Sequence, residues 1–167
     1  MIRMVSLTIR PVEPDDRNRL LQILIAADQW MDDEVAAAMA QVDWALRNGN
    51  DGEYRVYVAE RTSGTGKIVE GYACYGPTPK TDRVFDLYWI AVDPSARKKG
   101  VGSALLHRVE EELVTRKARM LLIETSSKES FRSAVEFYRA SGYHEISRIK
   151  DFYRLQHDKI IFSRKFD

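Results

Sequence analysis

The residues best suited to chemistry form one run, Ile90-Ala91-Val92-Asp93-Pro94-Ser95-Ala96-Arg97-Lys98-Lys99-Gly100-Val101-Gly102-Ser103-Ala104-Leu105-Leu106. It reads as a strand, a turn and an amphipathic helix. Two glycines where a helix opens let backbone N–H groups approach an anion with no Cβ in the way, and the helix dipole adds positive potential there. Pyrophosphate is the natural ligand of such a turn. Arg97, Lys98 and Lys99 set three cations beside it, in a chain whose 26 Lys and Arg nearly balance 25 Asp and Glu. A G-x-G turn by itself is equally a tight strand-to-helix connection with solvated lysines, so its context must decide.

Other chemistries find little support. The glycine spacing differs from a Walker A loop, which needs Gly-Lys-Ser/Thr after four intervening residues, and from the G-x-G-x-x-G of dinucleotide folds. His107, His144 and His157 fall on a helix, a strand and a turn without metal-ligand spacing, and no metal site is expected. No serine stands in a G-x-S-x-G elbow, and Cys74 lies in a strand without an evident base. Glu110-Glu111-Glu112 and Arg116-Lys117 read as the solvated face and basic end of one helix.

Hydrophobic periodicity places the elements that must hold this run. Residues 4–10 alternate apolar and polar ahead of Pro11, a strand. Helices follow over roughly 15–27 and over 33–47, the second with Val35, Met39, Val42 and Leu46 at helical spacing. Tyr54–Glu60 and Ile68–Tyr75 form a hairpin about Ser63-Gly64-Thr65-Gly66, and a third strand runs from about Arg83 to Val92. The helix after the turn, about 101–116, has an inner face of Val101, Leu105, Val109 and Leu113. The apolar strand at 120–124 is buried on both faces, and a helix over about 130–141 ends at Gly142, where a left-handed cap is wanted. Strands at about 143–153 and 158–166 flank the turn Leu155-Gln156-His157-Asp158. The order is β-α-α-β-β-β-α-β-α-β-β.

In that context Arg97-x-x-Gly100-x-Gly102, after a strand ending Val-Asp-Pro and before an amphipathic helix, resembles the acyl-CoA signature of the GNAT superfamily of N-acetyltransferases. Ala134-Val135-Glu136-Phe137-Tyr138-x-x-x-Gly142-Tyr143 is similar to that family's A-x-x-F-Y-x-x-x-G-F helix end. The strand at 120–124 sits where the family has one that splays from its neighbour. The resemblance covers the whole chain in element order and is motif-specific over roughly 86–143. It implies an α/β (α+β) fold, a mixed central sheet of about six to seven strands flanked by about four helices.

The resemblance also implies roles. The donor would be acetyl-CoA, with CoA as product, and the acceptor a small-molecule amine. The turn Arg97, Lys98, Lys99, Gly100, Val101, Gly102 and Ser103 would hold the pyrophosphate. Backbone amides at Ile90, Ala91 and Val92 would meet the pantetheine arm and the thioester carbonyl. Tyr138 matches the tyrosine that assists the departing thiolate. Asp86 matches a position where some members carry a catalytic glutamate; being shorter, it would act through water, and it equally suits a structural partner in the sheet. Family members often carry an asparagine about seven residues before the tyrosine, where Phe131 stands, and Ser127 or Ser130 would take over its contact with the arm.

For the acceptor, Tyr88 shares Asp86's strand face, Trp30 lies at the joint of the first two helices, and Tyr153 ends a late strand. Asp32-Asp33-Glu34 could attract a cationic amine or simply cap a helix. Two other readings remain at this level: acetylation of a protein N-terminus or lysine, and a non-catalytic acyl-CoA-binding module.

The whole-chain numbers narrow the partners. The 167 residues, 44% of them hydrophobic, suit one domain over 1–167. A net charge of +1 offers no field for nucleic acid or a membrane surface, so any phosphate site is local. One cysteine excludes an intramolecular disulfide, and neither a signal peptide nor a span of ~18 apolar residues is present, which predicts a cytoplasmic protein. By family analogy a homodimer is expected.

Overall fold

The elements form largely where the patterns put them. In the computed structural model, residues 5–64 and 66–166 are described. Met4, the expected start of the first strand, and Thr65 of the hairpin turn lie outside them. The elements are β1 (Ser6–Pro11), α1 (Arg17–Ala27), α2 (Asp32–Asn48), β2 (Arg55–Ser63), β3 (Gly66–Pro77), β4 (Val84–Val92), α3 (Val101–Thr115), β5 (Met120–Ser126), α4 (Arg132–Ala140), β6 (His144–Arg154) and β7 (His157–Lys165). Single 3-10 turns precede α1, α3 and α4. The seven strands form one mixed sheet in the order β1-β2-β3-β4-β5-β7-β6, with four flanking helices.

Two compact units make up the chain, one containing residues up to Gly76 and Trp89–Glu112, the other Pro77–Tyr88 and the residues from Leu113 onward. In the first, β1, β2 and β3 are an antiparallel meander, with Pro11 tolerated because β1 is an edge strand. Val101, Leu105 and Val109 of α3 are buried at the expected 3–4 residue spacing. On α2 the buried stripe is Ala38, Met39, Val42 and Ala45, while Val35 and Leu46 are only half-buried. The buried stripe is thus rotated from the one hydrophobicity suggests, with two alanines on it. Gly71 is needed for close packing, since a Cβ there would lie 2.8 Å from the Ala91 carbonyl oxygen and 3.1 Å from Val101.

In the second unit, β4 pairs parallel with β5 from Val84↔Met120 to Leu87↔Ile123. β5 pairs antiparallel with β7 over its full length, Met120↔Lys165 to Ser126↔Lys159. β6 is the edge, exposed along all eleven residues, so the expected late strand is largely uncovered rather than a core element. β6 and β7 meet through a two-residue turn, with Gln156 at φ 64°.

Register settles which side chains share a face. Asp86 lies beside Leu122, and Leu122 opposite Ser163; Leu87 lies beside Ile123, and Ile123 opposite Phe162. Because successive side chains alternate, Asp86, Leu122, Glu124 and Ser163 occupy one face, and Leu87, Ile123 and Phe162 the other. α4 covers the second face, with the Tyr138 ring 6.1 Å from that of Phe162.

Candidate active site

The basic turn is built by backbone conformation. β4 ends at Val92, and Asp93 caps the following 3-10 turn Pro94–Ala96: its Oδ1 accepts from the Ser95 N–H at 2.8 Å and the Ser95 hydroxyl at 2.6 Å. Lys98 and Gly100 then take positive φ, 60° and 80°. For lysine this left-handed conformation costs on the order of 1 kcal/mol, so the surrounding structure must impose it. Gly100 needs glycine for its φ rather than for space, since a Cβ there would meet nothing within 4 Å.

A left-handed residue followed by a helical one turns successive N–H groups toward a common point, the concavity that binds anions. The first α3 ladder bond runs from the Ala104 N–H to the Gly100 carbonyl at 3.0 Å, so the amides of Val101, Gly102 and Ser103 lie ahead of the helix's own ladder. Arg97, Lys98, Lys99 and Gly100 are exposed, and the Lys99 ammonium also donates to the Ser95 carbonyl at 2.9 Å. The turn therefore offers the first amides of α3, a helix dipole and exposed cations, a donor set that fits a pyrophosphate.

Of the acceptor candidates in this unit, Trp30 packs edge-on against Trp89 with ring centroids 5.6 Å apart. Trp89 had no sequence signal beyond its place between Tyr88 and Ile90. Its indole Nε1 is buried without a hydrogen-bond partner among the described residues. The acidic run beyond Trp30 serves as a cap: the Met31 N–H donates to Glu34 Oε2 at 2.8 Å, and the Glu34 N–H to Asp33 Oδ1 at 3.0 Å. Cys74 is fully buried, and burial pushes its thiol far up, which leaves it inert as a nucleophile.

The second unit holds side chains with chemistry. Asp86 is half-buried on β4, and Thr78, in the loop between β3 and β4, donates its hydroxyl to Asp86 Oδ2 at 2.7 Å. Thr78 is itself pinned, its N–H donating to the Val84 carbonyl at 2.8 Å and its carbonyl accepting from the Thr81 hydroxyl at 2.7 Å. Desolvation raises the Asp86 carboxyl above the ordinary aspartate range; the Thr78 bond opposes this, Glu124 adds to it and Lys159 opposes it. Lys159 pairs with Glu124 at 2.9 Å and stands 4.8 Å over the Phe152 ring. Tyr88 lies two residues from Asp86 on the same face, half-buried.

Tyr138 lies under the opposite face, only 5% exposed, among the rings of Phe137, Tyr143 and Phe162. The glycine of its motif explains the arrangement. Gly142 sits at φ 85°, its N–H donating to the Arg139 carbonyl and that of Tyr143 to the Tyr138 carbonyl at 3.1 Å, a Schellman cap that folds the Tyr143 ring back to 6.2 Å from Tyr138. Burial pushes the Tyr138 phenol well above its ordinary value.

The remaining candidates divide by place. Ile90, Ala91 and Val92 continue β4 in the first unit. Ser127 is engaged in holding β7: its hydroxyl accepts from the Asp158 N–H at 2.8 Å, and its own N–H donates to the Asp158 carbonyl at 3.0 Å. Ser130 and Phe131 fall in the 3-10 turn ahead of α4. Tyr153 stands on edge strand β6, 48% exposed, edge-on to Phe152 at 4.9 Å.

This fold agrees with what known proteins share. The family described as acetyltransferase (GNAT) domain matches residues 52–145, more than half the chain, and the protein belongs to the GNAT acetyltransferase family. A crystal structure from Desulfovibrio desulfuricans assigned to the GNAT family superposes with a TM-score of 0.87 at 33% identity, covering 96% of this chain and 99% of that one. The S-(2-succino)cysteine N-acetyltransferase of Bacillus subtilis (strain 168) is 30% identical over 111 residues, 65% of this chain and 64% of that protein. The chain spans just under two thirds of the length of the curated relatives it matches. The yncA structure from Salmonella typhimurium, solved with its cofactor acetyl-CoA, shares the fold, with a TM-score of 0.72 at 19% identity over 97% of this chain and 95% of that one.

Proposed function

We propose that the protein transfers an acetyl group from acetyl-CoA to the primary amine of a small molecule by direct attack in a ternary complex. The observation that carries this reading is the turn ahead of α3, where two left-handed residues, the first amides of the helix and three cations come together in a chain with no net basic field. The small-molecule acceptor is supported by the name of the Bacillus subtilis relative, whose substrate is a modified amino acid.

Bound at that turn, acetyl-CoA would supply an activated acyl carbon on a good leaving group. The backbone of Ile90–Val92 would orient the thioester, and Arg97, Lys98 and Lys99 would neutralise phosphate charge. A primary amine with a pKa near ~10 arrives protonated, and a carboxylate must take its proton before nitrogen can attack. Asp86 fits this task. Desolvation makes it a stronger base than an exposed aspartate, and Thr78 occupies Oδ2, leaving Oδ1 to accept the proton through a water. Tyr138, a phenol that burial moves still further from ionising, donates a hydrogen bond to the departing sulfur. Asp86 and Tyr138 lie under opposite faces of these strands, so the two roles together require the thioester to reach between them.

Calorimetric titration with acetyl-CoA, CoA and ATP at one salt concentration tests the donor. Saturable binding of both CoA species with little response to ATP is expected, followed by turnover in a screen of amines that includes amino acids. Absence of binding by either CoA species returns the turn to a plain strand-to-helix connection.

A further inference from the structure

The turn that would hold pyrophosphate is anchored by a residue far from it in sequence, and everything involved lies in the first unit. Arg19, on α1, donates its Nη2 to Asp93 Oδ2 at 2.6 Å and its Nε to the Val69 carbonyl at 2.8 Å. The Asp93 N–H donates to the Glu70 carbonyl at 2.8 Å. Asp93 thus uses one carboxylate oxygen on α1 and the other on Ser95, while its backbone is tied to β3. Lys99 closes the segment by donating to the Ser95 carbonyl at 2.9 Å. The Arg19 and Asp93 side chains are 27% and 14% exposed, so solvent screens the pair only in part. These bonds hold Asp93 below the usual carboxylate range, with the Ser95 hydroxyl the largest cause and Arg19 adding to it.

The anchor has a job the fold alone does not require. Lys98 adopts a left-handed backbone that lysine does not choose by itself, and conformations of that kind persist only where neighbours over-determine them. The 3-10 turn that leads into it is capped by Asp93, and Asp93 is oriented by Arg19. We propose that Arg19 is a positioning residue for the donor site: through Asp93 and Ser95 it holds the Arg97–Gly102 turn in the shape that receives a pyrophosphate. This rests on the turn being the CoA site.

The test compares two donors on the same enzyme: acetyl-CoA, and S-acetylpantetheine, which keeps the thioester and lacks the pyrophosphate. Arg19→Ala is expected to raise the Kd and KM for acetyl-CoA about ten-fold, the scale of one lost charge-assisted bond, with kcat at saturating donor within about two-fold. Its slow reaction with S-acetylpantetheine stays at the wild-type rate. Arg19→Lys, which can keep one of the two bonds, falls between and carries the comparison should the alanine variant fail to fold. An unchanged KM for acetyl-CoA, or an equal loss with both donors, overturns the positioning role. A wild-type protein that binds no acetyl-CoA in the same titration overturns the donor-site reading itself, and the inference with it.

Discussion

The two halves of the chemistry are built from different material. The turn ahead of α3 works through backbone: its positive φ angles and the helix start decide what it can bind, and its side chains are exposed and adaptable. Asp86, half-buried, and Tyr138, buried, would act through side chains whose properties come from neighbours on other strands and helices. A backbone site tolerates most side-chain changes and fails abruptly where a conformation is lost. A side-chain site keeps its ligand affinity when a functional group is removed and loses rate instead.

The sharpest way to break this contrast is Gly100→Asp. The substitution forces an L-residue to φ 80° and places a negative charge where phosphate would sit. Acetyl-CoA affinity should fall by at least about a hundred-fold in calorimetry, roughly the cost of strain plus a like charge. Unchanged affinity would remove the turn from the donor site.

Tyr138→Phe asks the opposite question. It keeps the ring contacts with Phe137, Tyr143 and Phe162 and removes only the hydroxyl. Acetyl-CoA Kd should stay within about two-fold while kcat drops about a hundred-fold, the range of a lost transition-state donor. Equal turnover would reduce Tyr138 to a packing residue.

Asp86→Asn should lower kcat/KM about ten-fold or more near neutrality, with the loss shrinking toward low pH as the wild-type carboxyl itself becomes protonated. The sign follows from burial. The carboxyl of Asp86 titrates above the ordinary aspartate value, so the acidic limb of the wild-type profile should lie above ~3.9 and vanish in the variant. A variant with the wild-type pH profile excludes Asp86 as the base.

The smallest effect is expected of Thr78→Val. Its hydroxyl bond favours the ionised carboxylate, so removing it should move the acidic limb to still higher pH with only a few-fold loss of rate. Thr78→Ser should restore the limb. A limb that stays in place in both variants would mean that Asp86 is held by other contacts.

The contrast also explains what could be read in advance. Glycine and proline carry backbone information locally, so Asp93-Pro94, Gly100 and Gly142 marked their turns correctly, and the left-handed φ of the two glycines is what the residue type anticipates. The α3 stripe of Val101, Leu105, Val109 and Leu113 was legible because its period is that of a helix with one buried side. The α2 stripe shifted because alanine, weakly hydrophobic, was outvoted by Val35 and Leu46 in the pattern, yet Ala38 and Ala45 are the residues that are buried. Nothing local distinguishes Thr78, eight residues from Asp86, or Arg19, seventy-four from Asp93, since a hydrogen bond between distant residues leaves no periodic trace.

By itself the sequence determined the order of the elements, the position of the glycine turn before α3 and the family, which the GNAT domain match bears out. These are features of contiguous residues, written in period, charge and glycine. Only the tertiary structure decided that Asp86 and Tyr138 lie under opposite faces, because a face is assigned by strand register, and the register of β4, β5 and β7 is a relation among segments up to eighty residues apart. It likewise decided that the Asp86 carboxyl and the Tyr138 phenol are pushed above their ordinary values, since desolvation belongs to the packed environment and not to the residue.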